Sequence, residues 1–367
     1  MELNKLTVDM DSTHNVNDGH TLPTSWYTSD GILTLEKEKI FRKNWHYAGN
    51  TSHLKNVGDY VTIKLDNVPV VVVRNEENQL QGYVNVCRHR LAEIAHGNGN
   101  TRHLQCPYHA WTYDLNGQLK AAPDCANEAN FDKEKLSLLP VKVDSWGPLV
   151  FANLDVNAKS IAEYFGESDA ILRATGVDFE NLQSTKKTAF DINGNWKVVA
   201  ENYLECYHCP SAHRDFTKII DTSLKGYRTF VKGTSLIATA DLKPDSEDKL
   251  IYKTKGQIPS STYILFWPNF SINIFPGEQN MVVFWFDPVS PTQTYGEFEY
   301  FFGKDTSEEF KQGLCAFWDK VGYEDQELIE SVQRGLNTNL IPNGRLVLGR
   351  EGLLEAFQSM VSAAVAG

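Results

Sequence analysis

The chain offers little that would place it in a membrane, on a secretory route or against nucleic acid. Apolar runs such as Val68 to Val73 are far too short to span a bilayer. The amino-terminal MELNKLTVDMDSTHN is polar and acidic, without the basic start and apolar stretch of a secretory signal, so a cytoplasmic protein is expected. No Lys/Arg cluster marks a nucleic-acid surface, and 35 basic residues stand against 47 acidic ones for a net charge of −12. That acidity is the ordinary charge of a solvated surface, and it favours a cationic partner over an anionic one. There is no internal repeat, no low-complexity segment, no Gly-rich dinucleotide fingerprint and no C-x4-C-x2-C ferredoxin spacing.

What is present is sufficient for a large core. A chain of 367 residues with 41% hydrophobic content has room for two domains. Thr28, Ser29 and Asp30 precede LTLEKEKIFRKNW, which reads as a capped helix within an amino-terminal helical segment, residues 1–45. Residues 46–155 change character. YVTIKL, VPVVVVR and LQGYVNV read as short strands, AWTYDL and LKAA as a hairpin around Asn116-Gly117, and LPVKVDSW and LVFANL as the closing strands. From 156 to 367 the pattern alternates. A helix is expected at 160–174, a strand at KKTAFDIN, a helix at NWKVVAENYLECYH and long strands between 227 and 303. Three helices, 306–321, 324–336 and 350–364, are expected to follow. The fold class is α+β, a strand-rich unit set into a larger domain with an antiparallel sheet.

The six cysteines are Cys87, Cys106, Cys125, Cys206, Cys209 and Cys315, and metal binding is a better default for them than disulfides. Cys87-Arg88-His89 is followed, sixteen residues on, by Cys106-Pro107-Tyr108-His109. Two loops each offering one thiolate and one imidazole can close a tetrahedral zinc site or hold a two-iron cluster. The spacing matches the Rieske signature C-x-H…C-x-x-H, in which neutral imidazoles replace two thiolates and raise the reduction potential. His96 and His103, outside that spacing, read as loop histidines.

A second set follows in ENYLECYHCPSAH. His208 and His213 are five residues apart, about 140° around a continuous helix, and Pro210 between them is expected to interrupt it. Two His and one carboxylate make the facial triad of oxygen-activating Fe(II). Glu324, Asp325, Glu327 and Glu330 are the candidate carboxylates. Asp325 aligns with Leu328, Ile329, Val332 and Leu336 on an apolar face, where a carboxylate must be paired or bound, and is the chosen third ligand. A buried Asp satisfied by a cap or an Arg remains open on the residues alone. Glu205, three before His208, is expected to share its helix face. Cys206 and Cys209 form a C-x-x-C around His208, open to a zinc or redox reading, and are taken as packing residues.

With both sets in order, the chain resembles the α subunits of Rieske non-haem iron oxygenases from about residue 22 to 360. Within that family it looks most like the carnitine, choline and glycine betaine monooxygenases, on NWKVVAENYLECYHC, CPYHAW and EDQELIESVQRGL. Leu91, where the family commonly has Gly, and Arg88, where the carnitine type has Pro, depart from the pattern. The resemblance implies a Rieske domain joined to a helix-grip catalytic domain, with one [2Fe–2S] cluster on Cys87, His89, Cys106 and His109. It implies one Fe(II) on His208, His213 and Asp325. It also implies a head-to-tail homotrimer, with Glu205 bridging the cluster of one subunit to the iron of the next. Electrons would come from a separate NAD(P)H-dependent flavin/iron–sulfur reductase, since this chain has no nicotinamide or flavin motif. Tyr203, Phe266, Trp267, Phe270, Phe284 and Trp285 are candidates for an aromatic cage around a quaternary ammonium substrate. Competing expectations are an oxygenase of aromatic acids, a Rieske electron carrier and a structural zinc protein.

Overall fold

Four consecutive valines, Val70 to Val73, are wholly buried in the computed structural model, which describes residues 19–125, 128–243 and 254–366. The pleat sends Val70 and Val72 into one core, with Val141 and Val150. Val71 and Val73 go into another, with Cys87, Cys106, Trp111 and Tyr113. A strand buried on both faces carries no polar alternation, which is why this run reads as continuous apolar sequence. The chain divides into two compact units, Phe41–Tyr164 and Met1–Ile40 with Phe165–Gly367.

The Phe41–Tyr164 unit holds β1 His46–Asn50, β2 Asp59–Leu65, β3 Val68–Arg74, β4 Leu80–Val84, β5 Asn98–Asn100, β6 Leu104–Gln105, β7 Thr112–Tyr113, β8 Leu119–Ala121, β9 Pro140–Trp146 and β10 Leu149–Asn153. Seven of them form a sheet in the order β1-β10-β9-β4-β3-β2-β5, and β6-β7-β8 form a small second one. The Asn116-Gly117 turn is where the sequence predicts it. Gly117 has φ +74°, and a Cβ there would meet the Tyr83 ring at 2.5 Å.

In the other unit α1 is Asp30–Lys39, capped by the Ser29 side chain. The predicted helix running on to Trp45 is corrected. Phe41–Lys43 is a 3-10 turn, and the Trp45 indole donates to the Lys159 carbonyl at 3.1 Å within the strand-rich unit. The apolar pattern past Ile40 therefore serves a different packing. The helix expected at 160–174 is two, α2 Ile161–Phe165 and α3 Glu167–Arg173, parted at Gly166 with φ +50°. Next come β11 Leu182–Ile192, α4 Trp196–Tyr203, α5 Cys209–Ala212, α6 Phe216–Ile219, β12 Tyr227–Lys232, β13 Ser235–Ala240, β14 Ser261–Phe266, β15 Phe270–Ile274, β16 Asn280–Ser290 and β17 Gln293–Gly303. These strands make one antiparallel sheet, β11-β17-β16-β15-β14-β13-β12. Residues 1–18 of the amino-terminal segment and 244–253 of the strand-rich stretch lie outside the described residues.

The two helices expected at 306–321 and 324–336 are one, α7 Glu308–Leu336, and α8 Gly352–Ala366 follows. Gly322, in the gap between the two expected helices, lies inside α7. A Cβ there would meet Phe190 and Phe298 at 2.8 and 2.9 Å, so its absence lets α7 lie close to β11 and β17.

A buried polar network ties α1, α4 and α8 together. The fully buried Glu36 and Lys197 pair at 2.7 Å, and Glu36 also accepts from the Trp196 indole at 2.7 Å. Lys197 lies 5.1 Å from the Tyr27 ring centroid. Tyr27 donates to Glu201 at 2.7 Å, and Gln358 donates to Glu201 at 2.9 Å. Burial pushes the Glu201 carboxyl up to about 7 against those hydrogen bonds. Helix α4, which leads into the second His pair, is thereby anchored at its first and middle turns.

Candidate metal centres and substrate cavity

The two Cys-His loops of the strand-rich unit have matching hydrogen bonds. Cys87 N–H donates to the Ala92 carbonyl at 2.8 Å and Leu91 N–H to the Cys87 carbonyl at 3.1 Å. Cys106 N–H donates to the Trp111 carbonyl at 2.8 Å and Ala110 N–H to the Cys106 carbonyl at 3.1 Å. Each loop turns through a left-handed residue, Leu91 at φ +61° and Ala110 at φ +57°. Both positions suit glycine, so the departure at Leu91 changes the side chain and keeps the turn. Cys87 and Cys106 are buried and free, whereas His89 and His109 are exposed with ring centroids 4.6 Å apart. The His89 ring stacks on Trp111 at 4.9 Å and 9°. Tyr113 Oη sits 3.5 Å from Cys87 Sγ and accepts from Arg88 N–H at 3.0 Å. Burial pushes the Cys87 thiol up, with the Tyr113 hydrogen bond opposing. A thiol pair inside and an imidazole pair at the surface is the donor arrangement a two-iron, Cys2His2 cluster needs.

The second centre begins at α4, whose Asn195 cap accepts from Lys197 N–H at 2.9 Å. The helix predicted to continue through His208 ends at Tyr203. Glu205 explains the stop. Its Oε2 accepts from the backbone N–H of both Tyr207 and His208, offering the chain an alternative to helical bonds. Glu205 and His208 therefore share a turn rather than a helix face. Pro210 does not interrupt a helix but sits in the first turn of α5, and His213 follows that single turn. Cys206 and Cys209, taken as packing residues, are buried but joined by a disulfide across His208, so the expectation against disulfides fails at this pair.

His208, His213 and Asp325 converge. His208 Nε2 lies 3.0 Å from His213 Nε2 and 3.4 Å from Asp325 Oδ1, and His213 Nε2 lies 3.0 Å from Asp325 Oδ1. Three donors at right angles around one ion, each about 2.1 Å away, would be about 3 Å apart, so the set fits one face of a metal ion. Outer carboxylates hold the far nitrogens, Glu205 on His208 Nδ1 and Glu324 on His213 Nδ1, the latter at 2.8 Å. Burial opposes protonation of His208, but the Asp325 and Glu205 carboxylates outweigh it and push the imidazole up to about 10. Burial raises Asp325, yet the two facing imidazoles bring it below its ordinary value. Among the described residues this is the group whose spacing suits a single metal ion.

Residues 179–367 match the family described as ring hydroxylating alpha subunit (catalytic domain), and residues 44–141 match the Rieske [2Fe-2S] domain. The chain is a Rieske oxygenase α subunit. It is 32% identical over 323 residues to the carnitine monooxygenase oxygenase subunit of Acinetobacter baumannii, covering 87% of this chain and 85% of that one. It is 32% identical over 349 residues to the chloroplastic choline monooxygenase of Beta vulgaris, covering 93% and 76%. A solved quaternary ammonium Rieske monooxygenase in complex with L-carnitine superposes with a TM-score of 0.82 at 29% identity, over 94% of this chain and 95% of that one. Naphthalene 1,2-dioxygenase from Rhodococcus, at 20% identity and a TM-score of 0.78 over 94% of each chain, shares the fold. As a member of this oxidoreductase family the protein carries domains for both a [2Fe–2S] cluster and a mononuclear iron.

Beside the triad of this Rieske oxygenase lies a small cavity of about 60 Å³ between the sheet and α4 and α7. Its walls include Phe190, Tyr203, Asn273, Phe275, Phe284, Phe298 and Trp318. Asn202, Tyr203, Asn273, Trp318 and Asp325 border both this cavity and the space around the two histidines, so the two are continuous. Tyr203 donates to Asn273 Oδ1 at 2.7 Å.

Of the expected cage, Tyr203 and Phe284 line this space, and the other four do not. The register explains this. Phe284 is paired with Ser271 and Trp285 with Phe270, so the adjacent residues Phe284 and Trp285 face opposite sides of the sheet. Phe270 and Phe266 are paired across the strands on that far side, where Phe266 packs on Phe165. Trp267 packs on Trp196 and Phe357. The apolar face assigned around Asp325 is also corrected, since Leu328 and Val332 are 37% and 50% exposed and the buried neighbours are Ile329 and Gln333. Sequence reading missed Phe190, Phe275, Phe298, Trp318 and Asn273 in the walls. The even-numbered set Val282, Phe284, Phe298 and Tyr300 carried a period-2 signal that would have found part of it.

Proposed function

We propose that this protein is the oxygenase component of a two-component system. It takes electrons from a separate NAD(P)H-dependent reductase and uses O2 to oxidise a small quaternary ammonium compound of the carnitine, choline or betaine type. One oxygen atom enters a C–H bond and the other leaves as water, with two electrons and two protons supplied from outside. Oxidation beside nitrogen permits C–N cleavage of the product. The observation that carries this reading is the juxtaposition of the His208, His213 and Asp325 donors with an aromatic cavity that shares their walls. It agrees with the carnitine and choline monooxygenases among the relatives.

Cys87, His89, Cys106 and His109 would hold the cluster, and His208, His213 and Asp325 the mononuclear iron. When bound, these groups supply one-electron reduction and oxygen activation. The residues of the chain do the rest. Glu205 fixes the His208 imidazole so that its Nε2 faces inward. A triad on one face leaves the opposite positions free for small ligands. Phe190, Phe284, Phe298 and Trp318 line the cavity, where a cation over a ring face would gain about 0.5–2 kcal/mol per contact. Asp325 is the one charged side chain among the described residues lining the cavity. No Arg or Lys stands among those lining residues to hold the carboxylate of an aromatic acid, nor that of carnitine or betaine, so within the ammonium compounds the lining favours the choline type.

We further propose a homotrimer in which Glu205 links the cluster of one subunit to the iron of its neighbour. The exposed apolar side chains Tyr323, Val332, Leu340 and Ile341 support burial against another subunit. So does the Rieske tip, with Leu91 at 73% and Tyr108 at 55% exposure and Arg90 lying 5.2 Å over the Tyr108 ring.

Choline and its neutral isostere 3,3-dimethylbutan-1-ol differ only in the charged nitrogen. Titrations followed by tryptophan fluorescence are expected to show choline binding at least about tenfold more tightly, the worth of one or two cation–π contacts. Equal affinity, or tighter binding of benzoate than of choline, would remove the ammonium reading.

A further inference from the structure

Helix α7 places two consecutive carboxylates against the same imidazole ring. Asp325 Oδ1 lies 3.0 Å from His213 Nε2, and Glu324 Oε2 lies 2.8 Å from His213 Nδ1. Consecutive residues on a helix point about 100° apart, so a five-membered ring set against the helix can be met by both at its two nitrogens. Glu324 is itself held. Its Oε1 lies 3.8 Å from Lys320 Nζ one turn back, and Lys320 bonds Asp215 at 2.6 Å. His213 is 3% exposed and Glu324 30%, so the hydrogen bond sits at the inner edge of the surface, sheltered enough to persist. The arrangement mirrors Glu205 on His208 Nδ1 across the centre.

We propose that Glu324 is the positioning residue for His213. It accepts the Nδ1–H and keeps Nε2 aimed at the metal, so that one turn of α7 supplies both a metal-binding carboxylate and the carboxylate that orients a second ligand. This rests on the reading of His208, His213 and Asp325 as an iron site. A ligating imidazole whose far nitrogen is free rotates about its side-chain bonds and loses basicity, and such outer partners are worth about 10–100-fold in metal affinity.

The test compares Glu324→Ala, Glu324→Gln and His213→Ala in the full-length protein with its Rieske cluster intact. Fe(II) affinity is measured by chelator competition, and the iron-free forms are melted in parallel. Glu324→Ala is expected to weaken Fe(II) binding 10–100-fold at an unchanged melting temperature. Glu324→Gln, whose amide oxygen can still accept from Nδ1–H, is expected to stay within about threefold of the parent. Affinity within twofold of the parent in Glu324→Ala would overturn the proposal. So would equal loss in the Ala and Gln variants, or a loss matched by a lower iron-free melting temperature. Retention of iron by His213→Ala would strike the iron site itself, whereas iron loss there with an unaffected Glu324→Ala strikes Glu324 alone.

Discussion

Replacing Glu205 by alanine is expected to cut coupled turnover by about 100-fold while the visible absorbance of the Rieske centre stays unchanged. The cluster donors lie in the other unit, so the substitution leaves Cys87, His89, Cys106 and His109 untouched. Its local effect is larger than that of an ordinary hydrogen bond. Glu205 accepts from His208 Nδ1 and from the backbone N–H of Tyr207 and His208, so alanine frees the imidazole and leaves the turn's donors without their carboxylate. Fe(II) affinity is therefore expected to fall as well. The assay must be run at saturating Fe(II), with bound iron counted. Turnover that stays low in fully loaded protein fits the proposed link between subunits. Turnover restored by iron alone would reduce Glu205 to an orienting group for His208.

The second large effect concerns stability. Lys197→Met is expected to destabilise the protein by about 3–5 kcal/mol, because it leaves the Glu36 carboxylate buried without its cation. Both side chains are fully buried at 2.7 Å, and burial already raises the Glu36 carboxyl. The double variant Lys197→Met with Glu36→Gln is expected to regain most of the loss, since a neutral Gln still accepts from the Trp196 indole. Denaturant unfolding measures both. A loss under about 1 kcal/mol in the single variant, or no recovery in the double one, would contradict a stabilising role. The pair bears on function because it anchors α4, whose last residue, Tyr203, borders both the cavity and the donor site.

What could be read in advance was whatever is local in sequence. The Cys87/His89 and Cys106/His109 loops declare themselves by spacing, and their turns tolerate Leu91 because the left-handed conformation costs only about 1–2 kcal/mol outside glycine. The strand-rich unit was legible for a similar reason, since β2, β3, β9 and β10 each carry a continuous or alternating apolar pattern. Contacts made at long range were less accessible. Asp325 lies beside the two histidines, yet the apolar face used to select it is half exposed at Val332. The two expected helices, 306–321 and 324–336, are joined through Gly322, whose close neighbours Phe190 and Phe298 are more than a dozen residues away along the chain. Aromatic residues were abundant in the long strands, but which face of the sheet meets α4 and α7 is set by packing between elements. Phe266, Trp267 and Trp285 were thus assigned to a cavity they do not border. The Cys206–Cys209 bond is local enough to be seen, and compartment statistics argued against it.

The central claim is that the donor set and the aromatic cavity together oxidise a quaternary ammonium compound. A single-turnover experiment reaches it without the reductase. Anaerobically purified protein is reduced chemically, then exposed to O2 with pooled quaternary amines or with pooled aromatic acids, and products are read by mass spectrometry. The account predicts an oxygenated or C–N-cleaved amine, at no more than one equivalent per mononuclear iron. Products from the aromatic acids alone would contradict it.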